Sequence, residues 1–373
     1  MSVKCQVIMD AMEQIAPRYL AESWDNVGLL VGSPAQTVHK VLVCLDVTET
    51  VVQKAIEDGV DMIIAHHPLI FKPLKNLRTD LPQGRLLAKI IQHNLIVFAA
   101  HTNLDIADGG VNDVLADLLG LEEVAALSTT YQENLIKLVV YVPTTHAKLV
   151  QAAIGKAGAG HIGNYSHCSF NVEGKGSFLP LDGTNPFIGQ VGKLETVDEI
   201  RIETILPEKL VRRVVKAMLA VHPYEEVAYD LYPLKNIGKT QGLGRIGKLK
   251  NSMIIEDFAR QVKQVLPTAQ VRLVKSGEKL IKKVALCSGS GAEFITKAAY
   301  AGADVLVTGD VKYHEAQKAQ ECGIHVIDAG HFGTEMPVAK KLAEKLTIAN
   351  EKEKWQLKII VDEVSKDVFL AVE

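Results

Sequence analysis

Residues Lys40 to His67 read KVLVCLDVTETVVQKAIEDGVDMIIAHH, and residues Lys283 to Asp310 read KVALCSGSGAEFITKAAYAGADVLVTGD. Each opens with a short apolar run and passes a turn of small or hydroxyl residues. Each then continues with helical spacing and turns at Gly-x-Asp into a second apolar run. That order is a βαβ unit, with two parallel strands and a right-handed crossover. At one constant offset the stretches share Lys40/Lys283, Val41/Val284, Cys44/Cys287, Lys54/Lys297, Ala55/Ala298, Gly59/Gly302 and Asp61/Asp304, seven identities in 28 gapless positions. The correspondence continues at a different spacing. Ile96–His101 lines up with Val326–His331, so that His101-x-x-x-Asp105 falls opposite His331-x-x-x-Glu335. The sequence predicts an α/β protein in which two duplicated βαβ-based lobes, residues 1–127 and 236–373, form one core.

Between the copies, residues 128–235 have another character. A strand (135–142), a helix after Pro143 (147–157) and a hairpin-like stretch through Phe170 and Gly174–Phe178 are followed by a second pass. That pass gives a strand (199–206), a helix after Pro207 (208–220) and a strand (228–232). Two β-α-β passes in about 100 residues predict an inserted ferredoxin-like α+β domain. An amphipathic helix is predicted near residues 3–16.

Bulk properties narrow the function classes. Apolar content of 47% and a net charge of −3 over 373 residues describe an ordinary soluble protein. No basic excess points to nucleic acid, and no apolar run approaches the roughly 18 residues that span a bilayer. Met-Ser-Val-Lys-Cys lacks the apolar core of a signal peptide. Cys5, Cys44, Cys168, Cys287 and Cys322 are odd in number and without C-x-x-C spacing, as reduced thiols of a cytoplasmic protein would be.

The chemistry concentrates where apolar strands end. His66-His67 closes the run Val60–Ala65 and is stopped by Pro68. His101 and Asp105 follow the next run, and His331 and Glu335 follow another. Ligands of open α/β sheets lie at such strand ends. Imidazole nitrogens with carboxylate oxygens suit two divalent ions, zinc first, with iron or manganese as alternatives, and the absence of cysteine disfavours a closed structural zinc site. Adjacent His66 and His67 can serve one site only if the strand has ended. A carboxylate such as Glu335 could then bridge ions about 3.5–4 Å apart. His101 matches His331 in the repeat, but could equally orient Asp105 or carry a proton. His314 is a candidate acid or base at the rim, and equally a surface residue. The turn Ser288-Gly289-Ser290-Gly291 could present backbone N–H groups to a phosphate, although tight-turn geometry alone explains its glycines.

Two nucleotide motifs fail. Gly242-Leu-Gly244-Arg-Ile-Gly247 spells G-x-G-x-x-G but follows a loop rather than a strand, and Pro233 stands where a Walker A motif before Gly238-Lys239-Thr240 needs glycine. His222-Pro-Tyr-Glu225-Glu226 reads as a structured turn or a minor polar site.

Trp24-Asp25-Asn26-Val27-Gly28-Leu29, His66-His67-Pro68, His101-Thr-Asn-Leu-Asp105, Thr308-Gly309-Asp310 and Gly330-His331-x-x-x-Glu335 occur in this order. Together they resemble the GTP cyclohydrolase 1 type 2 family, also called Ngg-one-interacting-factor-three-like. The insert is similar to the PII/CutA-like domain of its longer bacterial members. The resemblance implies a two-metal centre held by His66, His67, Asp105, His331 and Glu335, and a toroidal homohexamer. It also implies opening of the guanine imidazole ring of GTP to dihydroneopterin triphosphate and formate. In that reaction a metal-activated water would attack C8, His101 or His314 would move protons, and Lys312 or the turn with Ser288 and Ser290 would hold the triphosphate. Two other readings fit the same residues: a phosphoesterase or other nucleotide hydrolase, and a non-enzymatic metal-binding regulator whose insert senses a ligand.

Overall fold

The computed structural model describes residues 2–371. The chain divides into two compact units, one made of the residues before Gln132 together with those after Thr240, the other spanning Gln132–Thr240.

The discontinuous unit is a mixed α/β structure with two large sheets. The first runs in the order Lys358–Val361, Lys40–Cys44, Met62–Ala65, Ile96–Ala99 and Gly28–Val31, parallel except for the last strand. The second runs Arg272–Val274, His325–Asp328, Val305–Thr308, Ile281–Leu286, Thr240–Met253 and Leu121–Gln132, with its three inner strands from His325 to Leu286 parallel. Helices cover these parallel strands on both faces, which is why they read as unbroken apolar runs. Met62, Ile63, Ile64 and Ala65 are all fully buried, as are Val305, Leu306 and Val307.

The two βαβ passages are matched in detail. In the first, Asp61 Oδ2 accepts the N–H groups of His39 and Lys40; in the second, Asp304 Oδ2 accepts those of Lys282 and Lys283. The Lys40 ammonium donates to the Asp58 carbonyl, and the Lys283 ammonium to that of Ala301. Gly59 and Gly302 both adopt positive φ, 64° and 76°, at the helix exits where a left-handed residue is needed. The helix Glu49–Glu57 is started by Thr48, whose side chain accepts the Val51 N–H, and it buries Val51, Val52 and Ala55.

In the continuous unit the strands lie in the order Tyr229–Leu234, Leu135–Pro143, Glu195–Pro207 and Phe170–Phe178, all antiparallel. The helices Ala147–Lys156 and Val211–Leu219 share one core with Leu138, Val140, Val142 and Ile202. The helix expected directly after Pro207 begins instead as a 3-10 turn, Glu208–Leu210.

Two further expectations change and one holds. The N-terminal helix spans Cys5–Ile15, because Val3 and Lys4 pair with Thr37–Val38 as a short ladder. The segment after Ser288–Gly291 is a 3-10 turn, Ala292–Phe294, and then a helix of only six residues, Ile295–Tyr300. Gly242–Gly247 lies inside the strand Thr240–Met253, so the motif is not a phosphate loop. No helix among the described residues is long and apolar enough to cross a membrane.

Candidate metal centre

Each sheet delivers its strand ends to one cluster. The strand Met62–Ala65 stops just before His66-His67, whose backbone N–H groups still bond to the Cys44 and Leu45 carbonyls. Beyond the strand the two rings no longer oppose each other across a sheet. Their centroids are 5.0 Å apart, and both Nε2 atoms turn toward Glu335. His101 follows the strand Ile96–Ala99. Asp105 then falls in the short helix Thr102–Ile106, and His331 and Glu335 occupy the ends of the helix His331–Glu335. A separation of four residues puts the last pair on one helix face.

Glu335 is 4% exposed and is the hub. Its Oε2 lies 2.9 Å from His67 Nε2 and 3.0 Å from His331 Nε2, and its Oε1 lies 3.8 Å from His66 Nε2. His66 Nε2 is also 3.6 Å from Asp105 Oδ1. Gly289 makes room for this hub. At φ +63° it carries no side chain, and a Cβ there would stand 2.2 Å from Glu335 Oε1.

The orientation of the imidazoles is the most telling feature. Every Nδ1 is held by an acceptor: the Ala100 carbonyl for His66 at 2.9 Å, Asp46 for His67 at 2.8 Å, Asp25 for His101 at 3.0 Å and Asp310 for His331 at 2.7 Å. With Nδ1 donating outward, Nε2 presents a lone pair inward, where His66 Nε2 and Glu335 Oε2 have no hydrogen-bond donor. His67 and His331 bring their Nε2 atoms within 3.3 Å of each other. Lone pairs and carboxylate oxygens converging in a buried space repel one another unless a cation sits among them. Imidazoles whose outer nitrogen is tied to a carboxylate or carbonyl are the usual arrangement around bound metal. Three overlapping groups could hold a metal ion: His66, His67 and His101; His67, His331 and Glu335; and His66, Asp105 and Glu335.

The same convergence shifts protonation. Burial opposes the charged form of His67, but its bond to Asp46 and the Glu335 carboxylate beside its Nε2 outweigh it and raise its pKa to about 10. The Glu335 carboxylate, 3.0 Å from its Nε2, raises His331 to about 9. Burial raises Asp105. Glu335 resists ionisation through burial, yet the imidazoles around it hold it well below the usual carboxylate range. Asp25 is held at about 2, its burial outweighed by His101 and Thr102.

The other residues singled out from sequence lie apart from this cluster or serve it indirectly. Lys312 and His314 are exposed at the start of the helix Tyr313–Glu321, where His314 Nδ1 contacts Gln317 at 2.9 Å. Ser290 is exposed. Ser288 is buried, with its hydroxyl 3.5 Å from Asp105 Oδ1. The N–H groups of Ser288, Gly289 and Gly291 already donate to Asn112, Thr334 and Thr308. Sequence reasoning quoted Asp25 and Asp310 within motifs but gave neither them nor Asp46 a role in holding the imidazoles. It also missed the aromatic wall, in which Trp24 is 58% exposed with its ring 5.7 Å from Phe71 and 6.1 Å from His101.

Known proteins resemble this chain over nearly its whole length. A family model described as Duf34/NIF3 (NGG1p interacting factor 3) matches residues 3–368. A Halalkalibacterium halodurans protein named GTP cyclohydrolase 1 type 2 homolog is 48% identical, the match covering 98% of each chain. A Bacillus subtilis protein of the same name is 47% identical over 99% of this chain and 98% of its own. A Bacillus cereus protein related to NIF3 superimposes with a TM-score of 0.93 at 45% identity over 99% of both chains. A Staphylococcus aureus structure does so with 0.81 at 32% identity, also over 99% of both.

Proposed function

Because the chain belongs to the Duf34/NIF3 family, we propose that it is a metal-dependent hydrolase that opens the imidazole ring of GTP to give dihydroneopterin triphosphate and formate. The observation that carries this reading is the set of four imidazoles with Nδ1 tied outward beside two buried carboxylates. GTP itself comes from the name its relatives carry. We assign His66, His67, Asp105, His331 and Glu335 as ligands of two divalent ions, zinc first, with iron or manganese as alternatives. When bound, such ions supply Lewis acidity for hydrolysis at the purine C8.

The remaining work falls to the chain's own groups. His101 has its Nδ1 fixed by an ionised Asp25, so Nε2 is the nitrogen that takes and returns a proton, and the Asp25 charge stabilises the imidazolium. His314, exposed at its helix start and in contact with Gln317, is left out of the cluster's hydrogen bonds. Trp24 and Phe71 offer ring faces to a planar base. With the N–H groups of Ser288, Gly289 and Gly291 engaged, the triphosphate contacts fall to Lys312 and the exposed Ser290. Ser288 acts by orienting Asp105.

The metal-loaded protein is expected to release formate from GTP and to yield a pterin that fluoresces after oxidation. Fully loaded protein that forms neither product overturns the assignment, and release of inorganic phosphate alone redirects it to phosphoester hydrolysis. Trp24→Ala is expected to weaken nucleotide binding by about 1–3 kcal/mol, the usual worth of one base–aromatic stack, while metal content stays unchanged. A rise in KM at constant kcat is the signature, and an unchanged KM would remove Trp24 from the base site.

The same reading extends to architecture. We take residues 1–127 and 236–373 as duplicated lobes, supported by the paired Asp61 and Asp304 hydrogen bonds. Residues 128–235 are taken as a ferredoxin-like insert of the PII/CutA type, supported by its β-α-β-β-α-β order. A cytoplasmic homohexamer completes the proposal.

A further inference from the structure

The Gln132–Thr240 unit contains a cavity of about 690 Å³ of its own. Along the strand Glu195–Pro207, Ile200 and Ile202 face the helices, whereas Glu199 and Arg201 alternate onto the opposite face and line the cavity. Tyr141 does the same on the neighbouring strand. The walls are largely apolar, built from Phe178, Leu179, Leu181, Phe187 and Ile188. The size is that of a site for a small organic molecule.

One carboxylate in this cavity has no cation bonded to it among the described residues. Glu199 is 8% exposed, and among the described residues its carboxylate is bonded only by the Tyr224 hydroxyl, at 3.0 Å. Of the two cations that line the cavity, Arg201 pairs with Glu203 at 2.9 Å and Lys175 with Asp198 at 3.1 Å, and among the described residues neither is bonded to Glu199. Glu173, Glu225 and Glu226 also line it, so carboxylates outnumber cations. A buried carboxylate with a single neutral partner is costly for a protein to keep. Gly176 leaves space for it, since a Cβ there would stand 2.1 Å from Glu199 Oε2.

His222-Pro-Tyr-Glu225-Glu226 organises this site. His222 Nε2 is bonded to the Tyr141 carbonyl at 3.0 Å, and its Nδ1 accepts the Tyr224 N–H at 3.1 Å. That fixed turn aims the Tyr224 hydroxyl at Glu199. Glu225 accepts the Asn185 N–H at 3.0 Å and so ties down the segment that carries Leu181 and Phe187. The rings of Tyr224, Phe178 and Phe187 stand 5.7 and 6.5 Å apart around the opening.

We propose that this cavity binds a small organic cation, an ammonium group on an apolar or aromatic body, with the ammonium on Glu199 and the body among Phe178, Leu181 and Phe187. The aromatic walls add cation–π attraction to the carboxylate's charge.

Calorimetric titration of the full chain with 2-phenylethylamine and tryptamine tests this, with 2-phenylethanol and 3-phenylpropionate as the neutral and anionic counterparts. One amine is expected to bind per chain with a Kd below about 1 mM, the alcohol and the acid at least tenfold more weakly. Glu199→Gln keeps the shape and the Tyr224 bond, and is expected to abolish the preference for the amine. Should that variant fold poorly, the comparison among ligands on the unaltered chain decides by itself. Equal binding of amine, alcohol and acid overturns the proposal, as does no binding of either amine, or amine binding unchanged in a folded Glu199→Gln protein.

Discussion

Replacing Glu335 by Gln is expected to empty both proposed metal positions at once. Of the three groups that could hold an ion, two contain Glu335, and their other members are distinct: His67 with His331 in one, His66 with Asp105 in the other. One oxygen lies near His67 and His331 and the other near His66, so the carboxylate spans both. An amide keeps the volume but removes the charge and turns one acceptor into a donor, which faces Nε2 atoms instead of a cation. Elemental analysis of protein purified without chelator should fall from two ions per chain to nearly none. Asp105→Asn is the control, because it leaves the His67, His331 and Glu335 group intact and should keep one ion. Two ions retained in Glu335→Gln would sink the bridging assignment, whatever the protein's activity.

The residues of that centre were legible because each follows an apolar run. A strand buried on both faces announces itself by composition, and its end is where a side chain can first reach a ligand. What could not be read was the outer layer. Asp46 stands two residues beyond the strand Lys40–Cys44, and Asp310 ends the stretch Lys283–Asp310 as His67 ends Lys40–His67. Both are strand-end residues, so the signal was present, but no spacing says which nitrogen of which imidazole a carboxylate will hold. Lys312 and His314 show the converse. They too follow a strand end, but Asp310 takes φ +56° and the helix starts at Tyr313, leaving both exposed and out of the cluster's hydrogen bonds. A single left-handed residue redirects a chain in a way that residue type alone does not announce.

The glycine motif was rightly set aside as a nucleotide loop, but its preceding loop was not the whole reason. Gly242, Gly244 and Gly247 lie within a strand that presses closely on its neighbours. A Cβ at Gly242 would stand 1.8 Å from the Ser128 carbonyl, and one at Gly247 would stand 2.9 Å from the Glu122 carbonyl. Among the residues between them, Arg245 ties this strand to Ala107 and Asp113.

Arg245→Ala is expected to destabilise the protein by about 3–5 kcal/mol, the usual cost of removing one member of a buried ion pair. The Arg245 side chain is 6% exposed and forks onto Asp113, its Nε on one oxygen and an Nη at 3.0 Å from the other. The remaining donors serve main-chain carbonyls, those of Gly242 at 2.8 Å, Gly244 at 2.9 Å and Ala107 at 3.3 Å. One guanidinium thus joins a strand of the second sheet to residues 107–113, which immediately follow the helix that carries Asp105. Removing it leaves the Asp113 carboxylate with the Gly109 N–H but no guanidinium, and several carbonyls without donors, a cost beyond the lost packing alone. Lysine cannot replace it, since a single ammonium matches neither the fork on Asp113 nor the spread of carbonyls. Arg245→Lys should therefore recover less than half of the loss. Urea unfolding of the metal-free protein measures both. Arg245→Met combined with Asp113→Leu should be less damaging than Arg245→Ala alone, because the double change leaves no buried charge. A single-variant loss below about 1 kcal/mol, the range of an exposed pair, would mean that water already reaches Asp113 and that the unit does not depend on this pair.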